Sequence, residues 1–159
     1  MTSTAQAIPS QRTAAEDINT LTVIAQGEIF GLPIQLVQTI FRISSLSPVP
    51  LGPPDVAGLV NLRGKIVTAV SLRRRLKMDN DAVEPNALAI GIEHKGEYFC
   101  LVVDSVGEVM SLDDSKRIPI PPHFDPERLR LTTEFYRAGS VLIPVLDVNA
   151  LFDFGRQTN

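Results

Sequence analysis

A chain of 159 residues, 44% of them apolar, suffices for one domain or for two small subdomains sharing a core. Its net charge of −3 and pI near 5.3 argue against a dedicated nucleic-acid surface. No uncharged apolar run reaches the roughly 18 residues of a membrane span, and the N-terminus lacks a signal peptide's apolar segment, so a cytoplasmic location is expected. Cys100, His94 and His123 are too few for a disulfide, a metal site or Ser-His chemistry, and no catalytic, cofactor or metal residues are expected.

In chain order, residues 1–19 are polar and small and read as a disordered tail. Residues 21–26 alternate as a strand does, Gly27-Glu28 turns the chain, and residues 29–32 return until Pro33 breaks the ladder. Residues 35–43 continue with Val37, Ile40, Phe41 and Ile43, and Pro48, Pro50, Pro53 and Pro54 mark a loop. Residues 58–76 then form the most apolar hairpin. Val60, Leu62, Ile66, Val67 and Val70 suit a buried pleated surface, and Arg63-Gly64 supplies the reversal. Ser71 stands as a helix N-cap, with Leu72 and Leu76 on one face, and the basic cluster Arg73, Arg74, Arg75, Lys77 reads as a solvated face. Residues 79–86, polar with one proline, are the expected linker, and 155–159 a second tail.

Past the linker the pattern restarts. GEIFGLPIQLVQTI from Gly27 matches GEYFCLVVDSVGEV from Gly96 at an offset of 69, pairing Phe30 with Phe99, Leu32 with Leu101 and Val37 with Val106. The same offset sets Val49-Pro50-Leu51 beside Ile118-Pro119-Ile120. With a further shift Gly64 meets Gly139 and Ser71 meets Asp147, both N-cap residues. A repeat of this length, rich in short strands, predicts two small β barrels or curled sheets in tandem, each needing the other's apolar face. The expected subdomains are about residues 20–80 and 86–152, with strand exchange between them allowed. A groove at their junction and barrel edges at the ends favour binding over chemistry.

The remaining polar residues have ordinary explanations. Asp104 and Asp147 could be read as a carboxylate dyad, but Asp104 is followed by Ser105-Val106-Gly107 and lacks the tight Asp-Ser/Thr-Gly loop. Asp113-Asp114 and Asp125-Pro126 serve turns; Phe124, Phe135, Tyr136 and Cys100 are packing residues; His94, at a hairpin end, is expected in solvent. A tandem-barrel ligand or nucleic-acid module stays open as a reading of another class.

FGLPIQLVQTI, then PVPLGPPDVAGLVNLRGKIVTAVSLRRRL, then YFCLVVDSVGEVMSL, in that order, resemble the CheW family of chemotaxis coupling proteins in their alphaproteobacterial style, over residues 21–154. The resemblance implies an all-β fold of two five-stranded SH3-like barrels sharing an apolar interface, with short helical turns and no catalytic activity. It implies an adaptor between the regulatory domain of a chemotaxis histidine kinase, met by the barrel ends, and the cytoplasmic tip of a chemoreceptor, taken by the groove. Such a protein is recruited to membrane receptor arrays without inserting in the membrane and binds no nucleic acid. Partner-binding residues expected on this basis are Val37, Thr39, Asn61, Arg63, Gly64, Lys65, Arg73, Val103 and Val106, with Val37, Val103 and Val106 lining the groove. Thr39 stands where members commonly carry a Glu that pairs with the arginine of the NLRG block, here Arg63, and Ser71 where they have Asp. An adaptor of a secondary chemosensory or pilus-type system therefore also remains open.

Overall fold

A computed structural model describes residues 18–78 and 83–153. The C-terminal tail, most of the N-terminal tail and half of the expected linker lie outside these residues. Ile18 and Asn19, expected in the tail, instead open strand β1 (Ile18–Ala25), opposite Leu112 and Ser111. Strand β2 (Glu28–Pro33) returns through Gln26-Gly27, whose φ values of 49° and 79° are those of a tight hairpin turn. A 3-10 turn (Ile34–Leu36) leads to β3 (Thr39–Arg42), and β4 (Val56–Leu62) and β5 (Lys65–Ser71) form the central hairpin, followed by helix α1 (Leu72–Arg75). The second half repeats this order: β6 (Leu88–His94), β7 (Glu97–Val103), β8 (Ser105–Leu112), a 3-10 turn (Asp114–Lys116), β9 (Arg117–Ile118), α2 (Pro126–Leu129), β10 (Thr132–Ala138), β11 (Val141–Leu146) and α3 (Val148–Leu151). Ser71 Oγ accepts from the Arg74 amide and Asp147 Oδ1 from the Ala150 amide, so both expected N-caps form.

The strands make a five-stranded sheet, β4-β5-β7-β6-β3, and a six-stranded one, β10-β11-β2-β1-β8 with β9 added beyond β10. Position by position these are the same sheet, yet each mixes the two halves of the chain. Hairpin β1-β2 completes the sheet of the second half, and hairpin β6-β7 completes that of the first. The joining contact is parallel in both: Gly31 opposite Val145, and Cys100 opposite Ala69. Gly31 and Cys100 stand 69 residues apart and Ala69 and Val145 stand 76 apart, the spacing of Ser71 and Asp147, so the duplication in sequence recurs as a duplication of register. Each sheet then curls shut. The chain beyond β3 bridges back from Ser47 to Leu59 of β4, and the chain beyond β8 becomes β9 on β10. Gly58 permits the first closure: its φ is +155°, and a Cβ there would lie 2.5 Å from the Ser47 carbonyl oxygen. The fold is all-β with short helical turns, as expected.

The two exchanged hairpins read as nearly continuous apolar runs because both their faces are buried. Leu21, Val23, Phe30 and Leu32 on one hairpin, and Ile90, Ile92, Phe99, Leu101 and Val103 on the other, meet in the largest core, shared between the barrels and sealed by Leu72, Leu76, Leu151 and Phe152. Their alternate residues fill the barrels: Ala89, Cys100 and Val102 pack with Ile43, Val60, Val67 and Ala69 in one, and Ile29 packs with Leu112, Tyr136, Ile143 and Val145 in the other.

Candidate partner-binding site

The β4-β5 turn projects Arg63 at φ 54° beside Gly64 at φ 86°, and the Asn61 side-chain oxygen accepts the Gly64 amide at 3.0 Å. Asn61 and Gly64 thus shape the turn and Arg63 is what the turn presents. Arg63 is exposed, with no ion-pair partner among the described residues. Lys65 is held down: its Nζ donates to Tyr98 Oη at 2.9 Å and lies 4.0 Å from the ring centroid. Thr39 is the β3 residue opposite Gly91, and its methyl presses on the glycine closely enough that a Cβ there would be 2.7 Å away. Val37, between the 3-10 turn and β3, and Val106, at the start of the equivalent strand β8, are half-buried and packed on the shared core. Val103 differs: it is 4% exposed and is core, because the alternation of β7 turns it inward with Phe99 and Leu101. What it borders is the cleft lined by Arg73, Val102 and Asp104, in which neither Val37 nor Val106 takes part.

Sequence reasoning missed two neighbours. Ile40 and Val109 are 43% and 52% exposed on β3 and β8. They stand 69 residues apart, so the repeat offset combined with strand alternation carried the signal.

Of the basic cluster only Lys77 is exposed. Arg73 donates from Nε and Nη2 to both carboxylate oxygens of Asp104 at 2.9 and 2.8 Å, and Asp104 also accepts the Gln26 amide at 2.7 Å. Burial pushes the Asp104 carboxyl upward, but the Arg73 hydrogen bonds and charge and the Gln26 amide outweigh it and hold the carboxyl below its ordinary value. Arg75 is buried, donating to Asp55 at 3.1 Å and to the Leu151 and Ala150 carbonyl oxygens at 3.0 and 2.6 Å. Helical phase explains it: Arg75 falls on the face of Leu72 and Leu76, which faces the core. Arg74 donates to the Pro54 carbonyl at 3.1 Å. With Asp104 clamped to Arg73 and Asp147 capping α3, the two carboxylates are occupied separately and form no dyad. His94 also departs from expectation: its ring lies 6.2 and 6.0 Å from those of Phe99 and Phe152, themselves stacked at 4.5 Å. Burial pushes the Cys100 thiol up to about 12, away from nucleophile chemistry. Among the described residues no three His, Cys, Asp or Glu side chains gather as metal ligands.

Geometry of this kind, a reciprocally exchanged pair of β barrels with half-buried and exposed apolar residues on equivalent strands, defines the class of duplicated-barrel interaction modules. A sequence model of the CheW-like domain matches residues 19–156. The chain belongs to the CheW-like family. It is 22% identical to the chemotaxis protein CheW of Treponema pallidum (strain Nichols), covering 79% of this chain and 76% of that protein. It is 21% identical to the chemotaxis protein CheW of Bacillus subtilis (strain 168), covering 82% and 83%. The fold is that of the scaffolding protein TtCheW from Thermoanaerobacter tengcongensis, with a TM-score of 0.76 at 24% identity, over 86% of this chain and 93% of that one.

Proposed function

We propose that the protein is a non-catalytic adaptor that couples chemoreceptors to a chemotaxis histidine kinase within a signalling array. The observation that carries this reading is the CheW-like match across residues 19–156, together with a complete pair of exchanged barrels. The receptor's cytoplasmic tip docks where β3 and β8 begin, on Val37, Thr39 and Val106 with Ile40 and Val109 beside them, laying an apolar helix face against them. The kinase regulatory domain meets the barrel ends. Arg63, projecting from its turn with no ion-pair partner among the described residues, offers its charge to an acidic group on a partner and acts more on association rate and partner choice than on affinity. Because Thr39 packs against Gly91 and supplies no carboxylate for Arg63, service in a secondary chemosensory or pilus-type array is the second reading. No helix among the described residues is long and apolar enough to cross a membrane. The adaptor works in the cytoplasm and reaches the membrane through its receptor.

The test is capture of a cognate kinase regulatory domain and a receptor-tip fragment by wild type and by Val37→Glu, with circular dichroism of each. Wild type should capture both, and the variant should lose the receptor fragment while keeping its β spectrum. Failure of the wild type to capture either partner overturns the adaptor reading.

A further inference from the structure

The chain crosses between the barrels twice, at equivalent places in the repeat but with different chemistry. At the crossover from β7 to β8, Asp104 accepts two guanidinium hydrogen bonds from Arg73 and one from the Gln26 amide, and its own amide donates to the Ile24 carbonyl at 3.0 Å. Arg73 lies in α1, directly after β5 of the five-stranded sheet, whereas Gln26 sits in the β1-β2 turn of the other. One carboxylate therefore ties both barrels at the point where the chain passes between them. Strand β8 starts at the next residue, Ser105.

At the crossover from β2 to β3, the residue equivalent to Asp104 is Gln35, that equivalent to Gln26 is Lys95, and that equivalent to Arg73 is Asn149. Among the described residues no carboxylate faces a guanidinium there and no hydrogen bond joins these three side chains; the approach to β3 is held within its own sheet, Gln38 donating from its backbone amide to the Gly91 carbonyl at 2.9 Å and from Nε2 to Glu93 Oε1 at 3.2 Å. The chain makes the 3-10 turn Ile34–Leu36, which has no side-chain cap, and β3 begins only at Thr39, three positions later in the repeat than β8 does. Gln35, Lys95 and Asn149 line an open cleft of about 550 Å³ instead of closing it.

We infer that Asp104 is a positioning residue for receptor docking: its clamp on Arg73 and the Gln26 amide fixes the start of β8, and with it Val106 and Val109, while the start of β3, with no such clamp between the barrels, adjusts to the partner. This rests on the docking reading proposed above. The bidentate geometry sets direction as well as distance. The Arg73 and Asp104 side chains are 28% and 31% exposed, so the clamp adds little to global stability and acts through geometry. Arg73, expected as a partner contact, is thereby committed to Asp104 and touches the partner only indirectly.

The full-length protein is titrated with a receptor-tip fragment and, separately, with a kinase regulatory domain, for wild type, Asp104→Ala, Arg73→Ala and the double variant. Each single variant should weaken receptor binding about ten-fold, and the double variant no further, because both lesions break one clamp. Kinase binding should stay within about two-fold. Amide exchange of Ser105 to Gly107 should accelerate in the variants while that of Val37 to Thr39 is unchanged, a readout that reports the clamp without any partner. Weakening by Arg73→Ala alone, additive with Asp104→Ala, would show Arg73 to be a direct contact and overturn the inference. Unchanged exchange at β8 would overturn it equally. If wild type binds neither partner, the docking reading fails, and the exchange experiment still decides whether the clamp holds β8.

Discussion

Two arginines a dozen residues apart show how position decides what a charge does. Arg75 is 9% exposed at its side chain and Asp55 12%, and the guanidinium also satisfies two carbonyl groups at the end of α3. Asp55→Ala takes a counter-ion from that buried cation and should cost about 3–5 kcal/mol, read from urea unfolding. Arg63→Ala removes an exposed cation that has no partner among the described residues, and should cost less than about 1 kcal/mol in the same measurement. A loss at Arg63 as large as that at Asp55 would show a buried partner for it. Asp104 sets a different kind of expectation. Its folded carboxyl titrates below the unfolded value near 3.9, so as pH falls the unfolded chain takes up the proton first. Its contribution is therefore complete above about pH 5 and is lost as pH drops through the folded value. Asp104→Asn should lower stability modestly at neutral pH and converge with wild type in acid, so that its curve falls less steeply as pH drops, followed by thermal unfolding between pH 3 and pH 7.

At the scale of the element, the helices are too short to persist by propensity, and α1 and α3 each depend on a side-chain cap. Asp147 receives the Ala150 amide at 3.3 Å, as Ser71 receives that of Arg74. Asp147→Ala should lower stability by about 1 kcal/mol and Asp147→Ser should restore most of it, measured by chemical denaturation. Hairpins, turns and caps were legible in the sequence because each is written in a few neighbouring residues: Gly27, Gly64 and Gly96 all fall at reversals, and Ser71 and Asp147 at helix starts. Gly139 was matched to Gly64, but it is the first residue of its turn, where Arg63 stands in the other, and Ser140 takes the second place at negative φ. The burial of Val103 and Arg75 depends on strand parity and helical phase, which the sequence also holds. Reading Arg75 as solvated ignored that phase.

On the scale of the whole molecule, what local pattern did not carry is the destination of each hairpin. An apolar run buried on both faces looks the same whichever sheet receives it, so β1-β2 and β6-β7 were legible as hairpins while their exchange stayed only an allowance. The exchange makes each half of the chain incomplete. Without β6 and β7, the first half keeps β3, β4 and β5 but loses the two strands between β3 and β5, and it exposes Val70, Leu72 and Leu76, which the shared core covers. Without β1 and β2, the second half loses the strands between β8 and β11 in the same way. The boundary near residues 79–86 therefore separates two repeats, not two independently folding bodies, and we propose that neither repeat is stable alone. Expressed separately, residues 1–80 and 83–159 should each lack a cooperative thermal transition, and mixed they should assemble one-to-one and regain the β spectrum of the intact chain. The measurement is thermal melting by circular dichroism with size-exclusion chromatography of each fragment and of the mixture. A cooperative transition from residues 1–80 alone would show that β3, β4 and β5 close a barrel without the borrowed hairpin, and that the exchanged strands add to stability without being required for the fold.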